Sequence, residues 1–113
     1  MLNIAIDFDG VLNTYTGWNG KYDLYEPRKG ADEFLKQLSE KFEVIIFTTR
    51  EVNSVSRWLD EYDLGDYVTE ITNFKPRAVM YIDDRGINFD GDYDKILNLV
   101  DNFKTHWELK NGE

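Results

Sequence analysis

The chain contains no cysteine, which excludes disulfides, thiolate nucleophiles and cysteine metal sites together. That absence fits a reducing compartment. There is a single histidine, His106, far along the chain from the other polar motifs, and no catalytic role is assigned to it. No run of clustered Lys or Arg occurs, so general coating of DNA or RNA, which needs cations to displace phosphate counterions, is not expected. Long apolar runs are missing too. The opening Met-Leu-Asn-Ile-Ala-Ile-Asp-Phe-Asp has no basic n-region and meets acid too early for a signal peptide or membrane span. The expectation is a cytoplasmic protein without a membrane segment. No repeat, low-complexity tract or Pro/Gly-rich linker divides the chain.

What is present suits one α/β domain over residues 1–113. The sequence is 42% hydrophobic and includes 3 Trp, 7 Tyr and 7 Phe, enough bulky material for a domain this short to bury a core. The net charge is −9, and most of it belongs to residues 51–113. Solubility explains such an excess, and so does a group of carboxylates holding a divalent cation.

Four short apolar runs read as strands: Leu2–Phe8, Glu43–Thr48, Val68–Thr72 and Ala78–Ile82. The first, second and fourth are continuous, as in strands of a parallel sheet buried on both faces. Helical spacing links Ala31, Phe34, Leu35, Leu38 and Phe42, opened by Pro27 and Gly30. It recurs in Val52, Val55, Trp58, Leu59 and Tyr62, with Gly65 placed to end the helix. A third stripe runs through Tyr93, Ile96, Leu97, Val100, Phe103 and Trp107, with Asp92 as N-cap. Strands alternating with helices predict a three-layer Rossmann-like domain around a mostly parallel sheet. Residues of about 13–26 break the rhythm. Asn19-Gly20 at their centre suits a type I′ turn, so a small β-hairpin flap is expected there.

The polar residues then fall on one edge. Asp7, Asp9 and Gly10 end the first strand, Thr48, Thr49 and Arg50 the second. Lys75 precedes the fourth strand, and Asp83-Asp84 end it. Ligands of open α/β sheets bind at that carboxyl edge. Two like charges at 4 Å repel by about 4 kcal/mol at an effective dielectric near 20, so four gathered carboxylates call for a hard cation such as Mg²⁺ awaiting phosphate oxygens. The plainer alternative, Asp as turn residue or helix cap, explains any one of them but not the set.

These residues resemble a known family. Asp7-Phe-Asp9-Gly10-Val11, Thr48, Lys75 and Asp83-Asp84 are similar to the four motifs of the haloacid dehalogenase-like (HAD) superfamily, in the family's order and over residues 4–86. The resemblance implies a phosphohydrolase cleaving a phosphate monoester. Asp7 would be the nucleophile that forms an aspartyl-phosphate, and Asp9 the general acid/base. Gly10, Thr48, Thr49 and Lys75 would bind the phosphoryl group. Of the two threonines, which point to opposite strand faces, Thr48 follows the apolar run as the family's threonine does. Asp7, the backbone carbonyl of Asp9, and Asp83 with or without Asp84 would ligate Mg²⁺. Arg50 and Arg85 either pair with local carboxylates or touch substrate.

Caps of this superfamily are inserted after the first motif or between the second and third. Neither gap is long enough here for a cap domain, so an open site is expected. It would admit a phosphorylated small molecule, nucleotide, nucleic-acid end or phosphoprotein. Tyr15, Trp18, Tyr22 and Tyr25 either pack the flap or stack on a base. The rival readings are a receiver-like phosphoacceptor, whose acidic pair would come first and whose Lys would come last, and a catalytically idle HAD-fold binding module.

Overall fold

The computed structural model describes residues 2–15, 23–78, 80–82 and 89–111, with side chains as far as Asn102. Within them the chain forms strand β1 (Asn3–Asp7), helix α1 (Ala31–Ser39), strand β2 (Glu43–Phe47), helix α2 (Val52–Glu61), strands β3 (Glu70–Thr72) and β4 (Met80–Ile82), and helix α3 (Tyr93–Asn111). The strands make one sheet in the order β3-β2-β1-β4. Every pairing is parallel. The α/β, Rossmann-like architecture expected from the alternating pattern is therefore the one observed, with the sheet wholly parallel among the described residues.

Composition explains the sheet. Ile4, Ala5 and Ile6 of β1 and Val44, Ile45 and Ile46 of β2 are all buried, which is why both runs are continuous and rich in β-branched residues. Ile4, Ile6, Val44 and Ile46 join one core cluster with Phe34, Leu35 and Leu38 of α1, Val55, Trp58 and Leu59 of α2, and Ile96 and Val100 of α3. Ala5 and Ile45, which alternate to the opposite face, are buried outside that cluster.

The helix ends show where local chemistry acts. Gly30 precedes α1 at φ 87°, a left-handed position that suits glycine. At α3 the Asp92 carboxylate accepts the backbone N–H of Lys95 at 3.2 Å, the N-cap bond expected of it. The end of α2 differs from expectation. Asp63, at φ 57°, turns the chain, and the N–H of Leu64 reaches back to the carbonyl of Leu59 at 2.8 Å. That six-to-one bond is a Schellman closure. Gly65 instead opens a single 3-10 turn over Gly65–Tyr67. Strand β3 starts at Glu70, two residues later than the apolar run suggests.

Two aromatic contacts tie one helix to another and a third helix to the loop after β1. Phe34 of α1 stacks on Tyr93 of α3 at 4.3 Å between ring centroids, and Phe8, just past β1, meets Trp58 of α2 edge-on at 4.8 Å. Such pairs add about 0.5–1.5 kcal/mol beyond the area they bury. Among the described residues no helix is long and apolar enough to cross a membrane.

Candidate active site

Register brings the strand ends level. Asp7 of β1 pairs with Phe47 of β2, Phe47 pairs with Thr72 of β3, and Ile6 pairs with Ile82 of β4. The residues that follow therefore leave the sheet at one edge. Asp83-Asp84 come directly after β4 in sequence but lie outside the described residues, as do Arg85 and the flap tip with Trp18, Asn19-Gly20 and Tyr22.

The loop after β1 is held by hydrogen bonds. Gly10 adopts φ 79°, which lets the chain turn sharply behind Asp9. Asn13 is completely buried and uses all its bonding capacity. Its Oδ1 accepts the N–H groups of Gly10 at 2.8 Å and Tyr15 at 3.1 Å. Its Nδ2 donates to the Asp9 carboxylate at 3.0 Å and to the Leu24 carbonyl at 2.9 Å. An antiparallel bridge pairs Asn13 with Pro27, and the Thr14 N–H donates to the Glu26 carbonyl at 3.0 Å, so the base of the expected flap is in place. The Tyr93 hydroxyl donates to the Val11 carbonyl, tying α3 to the same loop. Burial raises the Tyr93 phenol to about 12, against a smaller opposing pull from the Arg28 guanidinium.

The turn after β2 is pinned as firmly. Thr48 is buried, and its backbone N–H extends the ladder to the Thr72 carbonyl at 3.0 Å. Its hydroxyl accepts the Arg50 N–H at 3.1 Å. Asn73 donates to the carbonyls of Thr48 at 2.7 Å and Arg50 at 2.8 Å. From this turn the Arg50 side chain crosses to Asp9, with Nε 2.9 Å from each carboxylate oxygen.

Between the two loops lies a cleft of about 510 Å³ lined by Asp9, Tyr15, Leu24, Thr49, Arg50, Glu51 and Ser54. Asp9 and Thr49, singled out from the sequence, thus meet in one cavity. Thr48 lies buried beside it, Gly10 forms the turn behind Asp9, and Asp7 ends β1. Lys75 is not among the lining residues. It is exposed, with its ammonium 4.8 Å from the centroid of the Tyr81 ring. The donors available to a metal are oxygens, which suit a hard cation. Among the described residues no three acidic or histidine groups cluster as a metal site, Asp83 and Asp84 being outside them.

Asn13 and Asn73 are absent from the motifs that the sequence displays, yet they fix both loops. The available signal is weak: Asn close after a glycine turn favours side-chain to backbone bonding. The long-range bonds to Leu24, Thr48 and Arg50 leave no local mark.

A parallel sheet carrying Asp-x-Asp-Gly at the end of its first strand and threonines at the end of the next defines a HAD-like phosphatase. The sequence profile of the NLI interacting factor-like phosphatases matches residues 4–109, and the chain belongs to that family. It is accordingly a phosphatase, a phosphoric monoester hydrolase, rather than a receiver-like phosphoacceptor. Its fold is similar to that of a conserved protein from Bacteroides thetaiotaomicron, with a TM-score of 0.70, 24% identity and 96% of each chain covered. At that identity the likeness speaks for the fold alone. No curated protein matches the chain.

Proposed function

We propose that this phosphatase is Mg²⁺-dependent and works through an aspartyl-phosphate on Asp7, with Asp9 as general acid/base. The observation that carries the reading is the placement of Asp9, beside the end of β1 and facing a cleft, with its carboxylate held by Asn13 and Arg50. A carboxylate oxygen of Asp7 attacks phosphorus as the bond to the leaving oxygen breaks, and Asp9 gives that oxygen its proton. Asp9 then takes a proton from water as the water oxygen bonds to phosphorus, and the P–O bond to Asp7 breaks to release phosphate. Thr49 is assigned to the phosphoryl oxygens and Gly10 and Thr48 to the turns beside them, while Lys75, outside the cleft, is assigned to the phosphoryl group by the motif resemblance alone. The buried position of Thr48 favours a role through its turn, and the position of Thr49 in the cleft favours direct contact. Asp7, the Asp9 carbonyl, Asp83 and Asp84 would hold Mg²⁺, which when bound neutralises charge on the phosphoryl oxygens. The whole chain acts as one capless domain on a phosphorylated substrate.

The test is turnover of p-nitrophenyl phosphate with Mg²⁺, with EDTA, and by Asp7→Asn and Asp9→Asn. Chelation should abolish phosphate release, and Asp7→Asn should lower kcat by at least about a thousandfold. Asp9→Asn should cost on the order of 10²–10⁴-fold on esters whose leaving group needs a proton. Phosphate release that survives Asp7→Asn would sink the covalent mechanism.

A further inference from the structure

We infer that Arg50 is the positioning residue for Asp9, setting the plane and direction of its carboxylate. The inference rests on the acid/base reading of Asp9 and extends it to a residue outside the four motifs. The contact is symmetric: Nε stands 2.9 Å from both carboxylate oxygens. It is also sheltered, with the Arg50 and Asp9 side chains only 13% and 24% exposed.

Arg50 is itself immobilised from three directions. Its N–H is bonded to the Thr48 hydroxyl and its carbonyl to Asn73. Its guanidinium carbon lies 5.6 Å from the centroid of the Tyr15 ring, a cation–π distance. Tyr15 is in turn fixed through its N–H on Asn13, and Asn13 is the other donor to Asp9. The two loops that flank the cleft thus meet through one carboxylate.

The arrangement suits positioning better than direct phosphate binding. To reach a phosphoryl group with the same nitrogen, Arg50 would have to leave Asp9, stripping a partly buried carboxylate of its cationic partner. Held where it is, it restricts Asp9 to one orientation toward the cleft. A positioned acid accelerates the step in which the leaving oxygen takes up a proton. That demand depends on the leaving group. An alkoxide needs the proton as the P–O bond breaks, whereas p-nitrophenolate departs without it.

The experiment compares an alkyl phosphate with p-nitrophenyl phosphate, at saturating Mg²⁺, for the wild-type chain, Asp9→Asn, Arg50→Ala and Arg50→Lys. For Arg50→Ala, kcat/KM, which reports the steps up to release of the leaving group and not the later hydrolysis of the aspartyl-phosphate that both esters share, should fall by about tenfold or more on the alkyl ester and by less than about threefold on the aryl ester, a fraction of the full acid/base contribution. Arg50→Lys retains the charge without the planar guanidinium; it should show the same skew at smaller size, and it serves should the alanine variant not fold. Equal losses of kcat/KM on both esters would mean that Arg50 grips the phosphate and would overturn the proposal. So would wild-type rates for Arg50→Lys on both. Failure of the underlying reading has its own signature, an Asp9→Asn variant whose kcat/KM is impaired equally on the two esters.

Discussion

The body of β1 and the loop that follows it are buried to the same degree by different physics. Ile4 and Asn13 are both fully inaccessible. Ile4 is held by non-directional apolar packing, which tolerates a neighbour of similar size and shape. Asn13 is held by four directed bonds, two accepted and two donated, a pattern that only a side-chain amide supplies and that glutamine would offer one methylene too far out. The strand gives the site its stability and the loop gives it its geometry. The proposed mechanism needs both within a few residues, because its nucleophile Asp7 belongs to the strand and its acid/base Asp9 to the loop.

The contrast can be broken by truncation on each side. Ile4→Ala should cost about 2–5 kcal/mol, the range for deleting a buried aliphatic side chain, in chemical or thermal unfolding. The kcat of the folded fraction should remain within a few-fold of wild type. Asn13→Ala should cost less stability, about 1–3 kcal/mol for the groups it leaves unpartnered, yet lower kcat by about tenfold or more by loosening Asp9. Reversal of that order, with the strand variant hurting kcat and the loop variant only stability, would undo the division of labour.

A smaller test lies on Tyr93, which ties α3 to the loop through the Val11 carbonyl. Tyr93→Phe should lower stability by about 0.5–1.5 kcal/mol near neutrality, the net worth of one hydrogen bond. The pH dependence has a definite sign. The folded phenol titrates at about 12 against the ordinary value of 10.0, so the neutral form is favoured by folding. Its contribution is fully present below pH 10 and is lost as pH rises through about 12. The stability difference between wild type and Tyr93→Phe should therefore be constant below pH 10 and shrink above it, measured by denaturant unfolding. A difference that grew with alkalinity would show that burial does not govern this phenol.

Much of this was legible in the chain itself, for a physical reason. Buried parallel strands must be continuously apolar, so β1 and β2 stand out, and helices packed on one face must repeat at helical spacing, as α1, α2 and α3 do. The Asp92 cap is visible because capping is a local bond. The end of α2 is less so, since Asp63 and Gly65 both permit a left-handed turn and only the packing of Leu64 into the core selects between them.

The sequence by itself determined the α/β class, the one edge on which Asp7, Asp9, Thr48 and Thr49 gather, and the phosphatase chemistry that their motifs resemble. These follow from periodicity and residue type, which are properties of short segments. Tertiary structure alone decided that Thr49 lines the cleft while Thr48 is buried, that Lys75 lies over Tyr81, and that Arg50 and Asn13 converge on Asp9. Residues 9 and 50 are separated by a helix and a strand, and parallel pairing of β1 with β2 is what closes that distance. A hydrogen bond across such a gap depends on angles and register that no local pattern records.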